Sequence, residues 1–173
     1  MKLDKINDEA RIIGTYHFVH RDKDGKILDE WEAYNLITNE GKDCILDSSL
    51  NNQSSVADWF FSIFTSGSAA AGNTYATPNR TESTNYTEAN RQAWAEGASS
   101  SQSVTNSSAA TITADTGGIS VTGVGVVGSP TGAAGDDVKG NTACADGILL
   151  SDVDVTKTLA ATETLDITYT VNA

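Results

Sequence analysis

Residues 164–171 read TLDITYTV, in which Leu165, Ile167, Tyr169 and Val171 alternate with Asp166, Thr168 and Thr170. Successive side chains of a strand point to opposite faces, so this alternation predicts a strand with one dry face and one wet face. The stretch RIIGTYHFV at 11–19 repeats it, with Ile13, Thr15, His17 and Val19 on one parity and Ile12, Tyr16 and Phe18 on the other. RDKDGK follows, and its Asp24-Gly25 suits a type I turn closed by a left-handed residue. KILDEWEAYNLI then returns as a second strand, giving the clearest hairpin in the chain. The Asp22-Lys23-Asp24-Gly25 run also resembles the start of a calcium loop, but Trp31 stands where that loop needs a bidentate Glu.

Working outward, WFFSIFTSG at 59–67 is too short for a helix and too apolar for a surface, and predicts a buried central strand. Residues 109–114 and 118–127 flank the turn-like Asp115-Thr116-Gly117-Gly118 and predict a second antiparallel pair. Gly123 and Gly125 share the parity of Ile119 and Val121, which predicts a bend or the close approach of another layer. Residues 147–159 and 164–171 form a closing strand pair about 160–163. One helix of two or three turns is expected in EGKDCILDSSL, capped by Thr38 or Asn39. Seven or more short strands without a βαβ rhythm or fixed repeat predict a mainly β fold, an antiparallel β-sandwich or jelly-roll-like domain. Residues 1–12 form an expected N-terminal arm and 13–173 a single domain with long loops at about 67–108 and 128–147. The first loop has few aliphatic residues but three recurrent aromatics, Tyr75, Tyr86 and Trp94, expected to anchor it; within it, 88–94 fits a strand or a helical turn.

The composition sets limits. Lys and Arg total 11 against 23 Asp and Glu, a net charge of −12, and phosphate neutralisation needs clustered cations, so nucleic acid is not an expected partner. The charge is uneven: residues 1–42 hold seven bases and nine acids, and residues 43–173 four bases and fourteen acids. Like-charged copies resist clumping at high concentration. The excess of small residues, 21 Thr, 21 Ala, 17 Ser and 15 Gly, fits Thr-rich strands punctuated by glycine turns. No run of eighteen apolar residues is present, so no membrane span is expected; the charged start MKLDKINDEARII lacks a signal-peptide core, and synthesis in a cytoplasm is expected. Cys44 and Cys144 form no metal-binding spacing and are expected to be reduced, partly buried thiols.

A catalytic constellation does not emerge. His17 and His20 lie three positions apart, on opposite sides of a strand, and read as a core-edge imidazole and a turn residue. There is no phosphate-cradling loop or nucleophile elbow. Asp152 with Asp154, and Asp136 with Asp137, are the carboxylate pairs to consider, but glycoside chemistry needs carboxyls converging from opposing walls. Asp152 and Asp154 fall on the expected solvent parity, with Val153 and Val155 inward. The expectation is therefore a non-enzymatic protein without catalytic, metal or cofactor residues.

Asn35-Leu36-Ile37-Thr38-Asn39-Glu40-Gly41 entering a helix, WFFSIF at 59–64, TESTNY at 81–86, ANRQAW at 89–94 and the closing LDITYTV occur in an order that resembles a group of tailed-bacteriophage virion proteins. These are similar to the capsid decoration, or cement, proteins of podovirus-like heads, over about residues 33–171. The resemblance implies a dimer or trimer on the capsid exterior, bound to the major capsid protein and stabilising its lattice. The alternative is a tail fibre or receptor-binding module whose Tyr75, Tyr86 and Trp94 stack on a cell-surface glycan.

Overall fold

The apolar parity of the first strand decides the packing: Gly14, Tyr16, Phe18 and His20 turn inward, while Thr15, His17, Val19 and Arg21 face outward. In the computed structural model, which describes residues 12–53, 55–130, 132, 135–144 and 146–173, two antiparallel sheets enclose that inward face. The elements are β1 (Ile13–Arg21), β2 (Ile27–Tyr34), β3 (Leu36–Ile37), α1 (Asn39–Leu50), β4 (Trp59–Phe64), β5 (Gln92–Ala93), β6 (Ser103–Thr105), β7 (Ala110–Thr113), β8 (Ile119–Gly128), β9 (Ile148–Leu159) and β10 (Thr164–Asn172). One sheet runs β2-β1-β10-β6, with β7 also paired to β10; the other runs β3-β9-β8-β4-β5. The chain is a β-sandwich with one short helix, as its alternations predict.

The expected hairpin is present, with Gly25 at φ +83° and the Asp22 carboxylate accepting from the Asp24 and Lys26 amides at 2.9 Å. Its second strand differs from the reading of 26–37 as one unit. β2 stays beside β1, whereas β3 pairs with β9 in the opposite sheet. Asn35 is the pivot: its backbone N–H still donates to Gly14 at 3.1 Å, and its side-chain amide donates to the Tyr169 hydroxyl at 2.9 Å.

Two expected pairs are also corrected. β7 joins β10 and β8 joins β9 and β4, so residues 115–118 and 160–163 are arches between sheets and not hairpins. Both segments make tight turns, with Gly118 donating to Asp115 at 3.0 Å and Glu163 to Ala160 at 3.1 Å. A turn of this kind constrains chain reversal, but the partner of each strand is set by which surface buries its apolar parity. The two arches lie together, Ala114 donating to Glu163 and Thr162 to Ala114 at 2.9 and 3.0 Å.

Between the sheets, Tyr16 stacks on Tyr169 at 4.3 Å between centroids, and Phe18 stacks on Trp31 at 5.1 Å. The Tyr16 hydroxyl meets Ser151 at 2.6 Å and the Tyr169 hydroxyl accepts from Asn35, so both tyrosine tips in this stack are satisfied. β4 is buried as expected. β8 is buried on both faces from Gly123 onward, because a second apolar cluster of Phe64, Tyr75, Val127 and Leu149 covers the outer face of its sheet. Residues 67–108 are not all loop, since β5 and β6 lie within them; of the open choice at 88–94, the structure takes a short strand at Gln92–Ala93. β6 and β7 share the far edge of β10, and Asn106 bridges the gap by donating to Ile167 O at 3.0 Å and accepting from Tyr169 N–H at 2.8 Å.

The helix starts after Thr38, one of the two cap candidates: its hydroxyl oxygen accepts from Gly41 N–H at 2.9 Å and the hydroxyl donates to the Leu149 carbonyl. Residues 1–11 of the expected N-terminal arm lie outside the described residues; Ile12 is exposed.

Candidate functional site

Only four cations lie beyond Lys42, namely Arg80, Arg91, Lys139 and Lys157, and all four are engaged in holding parts of the fold together. Arg80 rises from the first long loop onto the outer face of the β8–β9 sheet. Its Nε lies 3.0 and 3.2 Å from the two oxygens of Asp152, hydrogen-bonded to Oδ2, and its Nη2 donates to Asp154 at 2.5 Å. Both the Arg80 and the Asp152 side chains are fully buried. The guanidinium lies 5.2 Å from the Phe64 ring centre, and Asn73 donates to Asp152 at 2.8 Å. Gly123 makes room for this arrangement, since a Cβ there would lie 2.1 Å from Arg80 Nη1. The close approach of another layer expected at that glycine is supplied by the loop cover, through the buried Arg80 guanidinium.

Asp152 corrects the solvent-parity expectation. β9 places it inward of the loop cover, and burial pushes its carboxyl above the ordinary value against the opposing pull of Asn73 and Arg80. Asp154 is exposed along its edge and also accepts from Ala69 N–H at 2.9 Å.

Arg91 uses all five of its donors. Nε and Nη2 grip Glu82 at 2.8 and 2.6 Å, Nη1 reaches the Tyr75 hydroxyl at 3.1 Å and the Asp136 carbonyl, and Nη2 also reaches the Asn141 carbonyl at 2.9 Å. Burial works against this charge, but the bidentate Glu82 outweighs it and holds the guanidinium pKa above its ordinary value. Lys139 binds in the other direction, from the second long loop into the first, donating to the Tyr86 and Glu88 carbonyls at 2.8 and 2.6 Å. Its ammonium lies 4.1 Å from the Tyr86 ring centre. The two long loops are therefore joined, through hydrogen bonds from Arg91 and Lys139 to carbonyls of the opposite loop, into one cap over the sandwich. A cavity of about 240 Å³ remains under it, lined by Ser62, Phe64, Tyr75, Arg80 and Arg91 among others.

The three aromatics of the first loop are anchors: Tyr75, Tyr86 and Trp94 are 4%, 3% and 5% exposed, which removes them from contact with any glycan. Trp94 donates to the Tyr169 carbonyl at 3.1 Å. The candidate pair Asp136 and Asp137 is structural too. Asp136 is buried, which pushes its carboxyl upward, and Asp137 receives Asn90 and, through its carbonyl, the Arg91 amide at 2.7 Å. The histidines face opposite sides as expected, His17 meeting Glu30 at 2.9 Å on the surface. His20 is not a turn residue: it ends the inward row of β1, buried, 2.8 Å from Glu163. Cys44 and Cys144 are both partly buried and form no disulfide.

No group of three or more His, Cys, Asp or Glu side chains able to hold a metal occurs among the described residues, and no helix among them is long and apolar enough to cross a membrane. Reading the sequence missed Arg80, Arg91 and Lys139 entirely. The signal available was their scarcity, since isolated cations in an otherwise acidic or neutral stretch have carboxylates to meet wherever the chain folds. Compared with known proteins, the chain matches no family model and no curated protein.

Proposed function

We propose that this chain is a non-enzymatic structural protein of a virion, a capsid decoration or cement protein that binds the outer surface of the major capsid lattice as a homo-oligomer and stabilises it. The observation that carries this reading is the use of every cation beyond Lys42 in fastening loops and sheets to one another. Carboxylates that could serve chemistry, Asp152 and Glu82 above all, are occupied by buried guanidinium groups and are not poised around an open cleft. What remains is a cross-braced β body with an acidic exterior, suited to bearing load and to staying apart from nucleic acid. The order of sequence segments that resembles podovirus-like decoration proteins supports the same role.

Binding the assembled lattice and not loose subunits stabilises the lattice by mass action. Particles made without the chain are expected to release their DNA at a lower temperature than complete particles, and adding back the purified protein restores the higher value. Unchanged release, together with absence of the chain from purified heads, rejects the proposal.

A further inference from the structure

Helix α1 is fixed firmly at its start and weakly along its remainder. Thr38 caps it, Glu40 accepts from the Tyr75 and Leu149 amides at 2.8 and 2.7 Å, and Gly41 sits so close to Leu150 that a Cβ would lie 2.3 Å from its carbonyl oxygen. Gly41 is also the one buried residue of the helix, so the later turns ride over the sandwich without the close packing of a protein interior. Two hollows take up the space. One, of about 620 Å³, runs beside the start of β1 and is lined by Ile12, Ile13, Leu36, Ile37, Ile45 and Leu46, with Lys42 the single charge among the described residues. The other, of about 350 Å³, lies between the helix and the sandwich, against Val56, Trp59, Trp94, Val104 and Val171, and its single charge, Glu96, is exposed. Ile37 and Ile45 wall both, so the hollows meet beneath the helix. The Lys42 ammonium makes no ion pair or hydrogen bond among the described residues.

We propose that the paired hollows hold one straight-chain fatty acid, its carboxylate at Lys42 and its hydrocarbon tail passing beneath Ile45 towards Trp59. Both hollows have the size of small-molecule sites, which run to about 300–1,000 Å³. Each contains one charge, and the two are of opposite sign. Lys42 attracts a carboxylate and Glu96 repels one, which sets the direction of the ligand. A hydrocarbon tail suits the stretch between them because it brings no polar group of its own. A peptide would carry backbone N–H and C=O groups past side chains that are mostly apolar, and would leave many of them unpaired. A second copy of the chain could cover the outer groove but not reach the side chains under the helix.

This inference does not depend on the virion reading, and its test uses the pure full-length chain. Isotope-labelled protein is titrated with hexanoate, octanoate and decanoate as dissolved monomers, and with octanol as the uncharged control. Saturable shifts of the Ile37, Lys42, Ile45 and Val104 amides are expected, with affinity rising about 3-fold per methylene along the series. Lys42 is exposed, so Lys42→Gln leaves the fold intact; it is expected to weaken octanoate about 3-fold and to leave octanol unaltered. An affinity that does not grow with chain length overturns the assignment, because the tail then lies outside the hollows. Equal weakening of octanoate and octanol by the variant, or no weakening of either, overturns it as well. Absence of saturable shifts, which is also the result if a second copy already covers the groove, rejects it outright.

Discussion

Arg80 illustrates how a buried charge holds a fold without adding much net stability. Its partner Asp152 is equally buried, so removing the guanidinium alone leaves a carboxylate with neither water nor a counter-charge. Arg80→Met is expected to cost about 3–5 kcal/mol in urea unfolding, and adding Asp152→Leu to recover part of that loss, because the uncompensated charge goes with it. A double mutant less stable than Arg80→Met would contradict this account. Glu163 gives a pH dependence of definite sign. The Ala160 amide, followed by His20, holds its carboxyl below the ordinary 4.5, so its contribution is complete above that value and is lost as pH falls through the lowered one. Glu163→Gln is therefore expected to flatten the acid side of a stability–pH curve while lowering stability at neutral pH. A curve of unchanged slope below pH 4.5 would show that this pair does not matter. At this scale the sequence was least legible. Asp152 has the neighbours of an outward strand residue, and nothing local to Arg80 announces that it crosses 72 positions to meet it.

Helix α1 is an element whose existence was readable and whose fastening was not. A cap at Thr38 or Asn39 follows from residue type and the structure selects Thr38; Thr38→Ala is expected to destabilise the chain by about 1–2 kcal/mol, through the lost cap and the unmet Leu149 carbonyl. Gly41 runs against helix propensity. In an exposed helix Gly→Ala adds about 1 kcal/mol of stability, whereas here a methyl group would press on the Leu150 backbone. Gly41→Ala is accordingly expected to lower the urea midpoint, and a rise would mean that the helix can shift away from β9 at little cost. The strands tell a similar story. Alternation located β1, β7, β8, β9 and β10, but two of the expected pairings were arches. Hairpin and arch share turn residues and alternating flanks, and they differ only in whether the second strand bonds to the first or faces it across the core. The split of 26–37 at Asn35 has the same cause.

Across the whole molecule, the long loops are the least conspicuous source of rigidity. Residues 67–108 contain two tryptic positions, Arg80 and Arg91, both buried, and the loop is bonded to the second excursion through Lys139. Native trypsin digestion is expected to leave 67–108 intact; rapid cleavage after Arg91 in the native protein would show that the cap opens readily. Lys157 completes the bracing by joining β9 to Asp29 of β2 at 2.5 Å and lying 4.8 Å from the Trp31 ring centre, so that one cation ties the two sheets. The net charge of −12 thus has an internal counterpart, with the few cations of the body turned to structure and the surplus carboxylates left to the exterior. By itself the sequence determined the class of fold and the positions of the main strands and the helix, and it pointed to a cap at Thr38 or Asn39 and to anchoring by the loop aromatics. Each of these follows from periodicity or composition within a short window. Only the tertiary structure decided which strands share a sheet, that Asp152 is buried, that Arg80 pins the first loop to β9, and that Arg91 and Lys139 bind two remote loops into one cap. Those outcomes depend on contacts between residues far apart in the chain, where geometry in space and not spacing in sequence selects the partner.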